Sequence, residues 1–346
     1  RQEFPVKPSF RNLMCILAVA YPPAHAAASG GEPFVVSPAK IELGGNFERL
    51  QLVVTQLDAA GETTDTSVDH TSDATFSVAD PSIASVNKAG RLLALANGET
   101  SITIKVSDET IKKSITISGI EAQPATEFVR DIAPILSKTG CNMGACHATQ
   151  HGQGGFKLSV FGFEPGADRE AIVRDRHQRR TNMVAPEQSL FLLKPTMTVP
   201  HGGGKRLAPN SVEHQTLVAW LKNGAPVPKK EPATVTGLSV FPKQRVGKQG
   251  LSQQLRVEAT YADGSVRDVT ALALFDSMDE SMLDVSDTGF VRTHGKGQAP
   301  IMVRFEGQAG IAMFVVPYDD VAKLAGWKNN NFVDELAATK FRELGI

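Results

Sequence analysis

One stretch of this chain occurs twice. Phe76–Val106, FSVADPSIASVNKAGRLLALANGETSITIKV, aligns without a gap on Phe275–Phe305, FDSMDESMLDVSDTGFVRTHGKGQAPIMVRF, each pair 199 residues apart. Phe76 meets Phe275, Asp80 meets Asp279, Val86 meets Val285, Gly90 meets Gly289 and Gly98 meets Gly297. Each copy closes on alternating apolar residues: Ile102, Ile104 and Val106 in one, Ile301, Val303 and Phe305 in the other. Alternation with period two gives a strand one buried face. The glycines sit where chain reversals belong. Upstream, across a short gap, Leu50, Leu52 and Val54 correspond to Leu255, Val257 and Ala259. Each copy then reads as a small β-sandwich of ~80–90 residues, with bounds at 33–121 and 234–317.

The stretch ADPSIASVNKAGRLLALANGETSITIKV resembles the bacterial immunoglobulin-like group 2 family, and DESMLDVSDTGFVRTHGKG is a more divergent copy. That resemblance implies spacer or adhesion modules on an exported protein. Neither copy gathers a reactive cluster. His70 and His294 stand alone, and Asp263, Asp268 and Asp276 lack the loop spacing of a calcium site, so they read as solvated loop carboxylates.

Residues 122–230 have another texture, rich in Met, His, Arg and Gly. Phe128, Ile132, Ile135 and Leu136 recur at helical intervals, which predicts a helix over about 126–138 that Gly140 ends. Cys141, Cys146 and His147 follow at once. Two thiols beside an imidazole can tether a haem through its vinyl groups and ligate its iron. The four residues between these cysteines replace the usual two. At the far end, NSVEHQTLVAWLKNGA predicts a second helix, with Asn210 and Glu213 as a capping box and Gly224 and Pro226 as its stop. Phe128 is expected against Trp220 or Leu217.

This segment resembles the cytochrome c domain of large planctomycete surface proteins. The residues that carry the resemblance are the Cys-to-Cys step before His147, then GGFKLSVFGFEPGADREAI, PEQSLFLLKPTMTVPHGGGKR and WLKNGA. It implies a multidomain fold in which two immunoglobulin-like β-sandwiches flank a mainly α-helical cytochrome c-like domain. It implies haem c attached through Cys141 and Cys146, with His147 as proximal ligand and His201 as distal ligand. Met197 is the alternative, since a thioether raises the potential and a second imidazole lowers it. Met183, His151, His177 and His214 read as packing or surface residues. The basic run Arg169, Arg174, Arg176, Arg179 and Arg180, like Arg206, could face a propionate or steer a redox partner protein. Residues 318–346 read as the start of a further domain.

Before Tyr21-Pro22-Pro23, an apolar run from Leu13 follows Arg1, Lys7 and Arg11, and Ala24-His25-Ala26 supplies small residues. This reads as a signal peptide over 1–28, carrying Cys15 away with it. Export places the protein in the periplasm or on the cell surface. The run is too short to span a membrane, and no other stretch is long enough. With 36 Lys and Arg against 37 Asp and Glu, no basic excess points to nucleic acid. No serine elbow points to a hydrolase. The main reading is an exported electron-transfer protein. The alternative is a surface protein without redox function: a structural zinc protein using Cys141, Cys146, His147 and His151, or an adhesion module for a surface glycan or protein.

Overall fold

The computed structural model describes residues 33–320 and 324–346; the expected signal peptide lies outside them. Strand takes up 31% of the described residues and helix 18%. In the first module a four-stranded sheet runs in the order Ile41–Leu43, Glu109–Ile117, Gly98–Val106, Thr75–Val78. A three-stranded sheet runs Arg49–Gln51, Arg91–Ala94, Ala84–Val86, and Phe34–Ser37 pairs with Val53–Gln56. The second module repeats the plan. Its four-stranded sheet is Gln244–Val246, Gln308–Val316, Gly297–Phe305, Leu274–Ser277, and its matching three-stranded sheet is Ser252–Gln254, Phe290–Thr293, Leu283–Val285. In both, the first strand of the larger sheet lies parallel to its neighbour and the other pairs are antiparallel.

The repeated Phe and Gly have one explanation. Gly90 (φ 75°) and Gly289 (φ 79°) turn the chain in a conformation that a side chain disfavours. A Cβ on Gly90 would also lie 2.9 Å from Phe76 Cζ, and one on Gly289 would lie 2.8 Å from Phe275 Cζ. Each module thus packs a ring directly onto a bare turn.

The expected helical domain is not formed. Residues 122–230 hold the helices Ala133–Lys138, Pro165–Val173, Leu190–Leu193 and Val212–Lys222, with a π-helical turn at Phe128–Ile132; turns and irregular chain fill the rest. The backbone between them explains why. Phe161, Arg176, His177, Gln178 and Met197 all adopt positive φ, which no helix interior allows. At Gly152 a Cβ would fall 2.0 Å from Phe156 O. The capping box is also corrected: Ser211, not Asn210, caps the last helix by accepting from His214 N, and Asn210 stands at φ 62°.

The two end helices of this segment do meet. Phe128 and Trp220, both fully buried, have ring centroids 5.5 Å apart, and Phe191 approaches Trp220 from another side at 6.4 Å. Their core is not closed. Phe128, Ile132, Leu158, Ile172, Leu192 and Trp220 belong to one apolar cluster with Leu255, Ile301, Val303 and Phe314 of the second module. The first module keeps a separate core around Leu52, Leu92, Ile102, Ile104 and Ile115. The segment is therefore an irregular layer on the second sandwich. At the far end, Asn331 caps the helix Phe332–Leu344, and Tyr318 N donates to Leu344 O.

Lys138 ties the same two parts together. Its ammonium donates to Ala273 O (2.6 Å) and Asp287 O (2.5 Å) and lies 5.4 Å from the Phe275 ring centroid.

Truncating Trp220 to Ala should cost about 3–5 kcal/mol. Because the core is shared, amide exchange at Ile301 and Val303 should accelerate along with the middle segment, while Ile104 and Ile115 keep their protection. Equal loss in both modules would show that the cores are not separate.

Candidate functional site

The loop after Lys138 begins at a helix stop. Gly140 (φ 77°) donates to Ser137 O and Cys141 N donates to Leu136 O, the two bonds of a Schellman motif. Turns then carry the chain through Met143 to Cys146, and His147 N returns to Cys141 O at 3.0 Å. Cys141 and Cys146 are both thiols. Cys141 Sγ lies 3.3 Å from Thr139 Oγ1, and burial pushes its thiol up, which makes it a poor nucleophile.

The histidines are better organised. His147 Nδ1 lies 2.9 Å from Phe156 O, and His201 Nδ1 lies 2.9 Å from Gly204 O. With Nδ1–H given to a carbonyl, each ring keeps a lone pair on Nε2. The two rings lie 6.2 Å apart between centroids and within 14° of parallel. Phe156 packs on His147 at 4.6 Å, with the Arg180 guanidinium on Phe156 at 4.5 Å. The structure thus sets His147 near His201. Met197 instead is 46% exposed. His151 and His177 are exposed. Arg180 is buried, donating to Ala171 O and Gly155 O, and Arg169 donates to Ala225 O, so these two members of the basic run serve packing.

Among the described residues, no group of three or more His, Cys, Asp or Glu side chains is arranged to hold a metal ion. The four-ligand zinc set is therefore not assembled. The same finding, with the strand-dominated fold, corrects the resemblance to cytochrome c-bearing surface proteins. Haem, iron and electron transfer as descriptions of this chain fall with it.

The most connected polar residues lie elsewhere, where the two modules meet. Arg49–Gln51 and Ser252–Gln254 are edge strands of their three-stranded sheets. Gln51 N donates to Asp268 Oδ2 at 2.8 Å, and Gln254 N donates to Asp69 Oδ2 at 2.6 Å. Each module's carboxylate caps the other module's exposed edge. Arg245 Nη1 adds a bond to Thr64 O (2.7 Å) and Val246 N one to Asp65 O (2.8 Å). Arg49 pairs with Glu213 of the middle segment, on the far side of the same junction. Arg267, bonded to Asp131 at 3.1 Å, lines a cleft of about 280 Å³ there, together with Arg49, Arg130 and the buried Thr126.

Asp268 is half-buried and bonded to the first module, not a solvated loop carboxylate. Asp276 pairs with Arg304 at 2.7 Å, and Asp263 accepts from Ser265. Burial raises both Asp69 and Asp268 above the usual carboxylate range despite their donors. A signal for these carboxylates was present in the sequence: Asp69-His70-Thr71 and Asp268-Val269-Thr270 stand at the same 199-residue spacing as the Phe76–Val106 stretch. The strand upstream matches at 203, Gln51 with Gln254 and Leu52 with Leu255, two residues off the register expected from the sequence.

No family model matches the chain, and no curated protein does. Among solved structures, domains 5–6 of the S-layer protein SbsC align with 12% identity and a TM-score of 0.31, over 82% of this chain and 97% of that one. Human protocadherin-24 EC1-2 aligns at 6% and 0.18, over 82% and 96%. Invasin, a bacterial integrin-binding protein, aligns at 11% and 0.18, over 85% and 62%.

Two titrations test this geometry. Burial lowers the His147 pKa below the ordinary 6.5, with the His201 charge adding to the effect. The depressed value gives stability that is present above 6.5 and lost as pH falls through the folded value. His201→Ala should move the NMR titration midpoint of His147 upward; no movement would mean that the rings are not neighbours in solution. Burial also pulls Lys138 from 10.5 down to about 8. Its contribution is full above 10.5 and is lost as pH falls through about 8. Urea midpoints should therefore rise from pH 8 to 10 more steeply in the native protein than in Lys138→Met.

Proposed function

We propose that this protein is a structural and adhesive segment of an exported surface protein, in which the paired β modules form a stiff unit that presents its loops to a surface glycan or protein. The observation that carries this reading is the module interface. Two domains joined by a flexible tether would leave their edges to water, whereas here each edge is capped by a carboxylate of the other module. A spacer needs stiffness more than chemistry, and the polar groups of these modules are spent on packing and turns. Asp80 and Asp279 each accept from a serine two residues on, Ser82 and Ser281, which fixes the same loop in both copies.

The net charge of −1 gives no attraction to polyanions. Among the described residues, no helix is long and apolar enough to cross a membrane. A surface location accords with the apolar run before residue 28 and with modules of immunoglobulin-like plan.

The test is made on intact cells carrying the natural protein. A membrane-impermeant amine label should reach lysines of both modules without lysis, and the purified chain should scatter X-rays as one stiff particle. Labelling only after lysis would overturn the surface assignment. A Soret band in protein from a host competent to attach haem would overturn the reading as a purely structural protein.

A further inference from the structure

The bonds at the centre of the module interface occur twice, once from each side. In the first module Asp69 Oδ1 accepts from Thr71 N and Thr71 Oγ1, and Thr71 Oγ1 accepts from Val54 N. Gln51 Nε2 donates to Leu52 O and Ala89 O. In the second, Asp268 Oδ1 accepts from Thr270 N, and Thr270 Oγ1 accepts from Val257 N. Gln254 Nε2 donates to Leu255 O and Thr288 O. Both carboxylates leave Oδ2 to cross the interface, and both glutamines leave the backbone N–H that receives it.

The residue types at the three positions are identical: Gln51 and Gln254, Asp69 and Asp268, Thr71 and Thr270. An interface in which one side's donor meets the other side's acceptor, and the reverse, is isologous. Two copies of one surface satisfy it as well as two related surfaces do.

We infer that this face is self-complementary, and that the first module carries a docking surface for a second copy of itself, Asp69 of each accepting from Gln51 N of the other. Nothing in this pairing depends on where the protein works. Both donor and acceptor lie on a module whose apolar core includes no residue from elsewhere in the chain, so residues 32–121 contain all that the fold of the module requires. An uncapped edge strand is also a surface that favours pairing. The intramolecular pair has an extra bond at its margin that a self-pair lacks: Arg245 donates to Thr64 O, and the first module has Ile41 at the matching strand position. In the whole chain the second module therefore outcompetes a second copy, helped by its tethered concentration.

The experiment takes residues 32–121 alone, checked for β-sheet by circular dichroism, through sedimentation equilibrium over a concentration series into the millimolar range. A monomer–dimer equilibrium is expected, with protection of the Gln51 amide that rises with concentration. Asp69→Lys should weaken the dimer by at least about tenfold, since two charge-assisted bonds are lost per pair. A folded segment that stays monomeric throughout would overturn the inference, as would a folded Asp69→Lys segment that dimerises unchanged. If that variant does not fold, the concentration dependence of Gln51 amide exchange in the native segment decides: protection that rises with concentration upholds the self-pair, and protection independent of it overturns the self-pair.

Discussion

The molecule depends on how it covers two strand edges. An edge strand exposes backbone donors that either stay in water or find a partner. Here the donors at Gln51 and Gln254 face one another's modules, and each meets a carboxylate at hydrogen-bond distance. A carboxylate suits the task better than a neutral acceptor, because a charged acceptor bonds an N–H more strongly. The cost is the desolvation of two charges. Threonine donors on the inner oxygens and the Arg245 and Arg256 charges oppose that cost without cancelling it, and both groups end with raised pKa values. The sign follows: protonation relieves these residues, so what they contribute is full in acid and falls away as pH rises through their folded values.

That arrangement explains why the middle segment has no core of its own. With the modules held at their edges, residues 122–230 run from the end of the first sandwich to the start of the second and lie against the latter. Their apolar side chains continue the second module's cluster, and Arg49, Arg267 and Lys138 pin the segment at three places. A segment that borrows a core needs only short helices to place a few large side chains. Phe128, Phe191 and Trp220 fill that role.

The β modules were legible because their signals are local. Alternating apolar residues and turn glycines mark strands and reversals in any sandwich, and the Phe76–Gly90 and Phe275–Gly289 pairs turned out to be single packing devices. The middle segment was misread for the opposite reason. Its end helices carry honest helical periodicity, but their length and the backbone between them are set by tertiary contact and by positive-φ residues such as Phe161, Arg176 and Met197, which no periodicity reveals. The cysteines and His147 lie near one another in sequence whatever the fold, so their spacing could not tell a ligand set from a turn. The pairing of His147 with His201 depends on two distant loops meeting and was suggested only through a resemblance that the fold does not support.

Asp268 is the instructive error. A carboxylate in a short polar strand reads as solvated when the chain is considered one module at a time, and within its own module that reading is sound: Val266 beside it is exposed. It is the first module that engages it, through Gln51 N. The repeat held this information, since an Asp-x-Thr kept at a fixed spacing in two otherwise divergent copies implies that both copies use it alike. Turn-capping alone would account for the threonine bonds. It would not account for an outer oxygen left unused in each copy, and that unused oxygen is what makes the two halves of a duplicated chain complementary to one another.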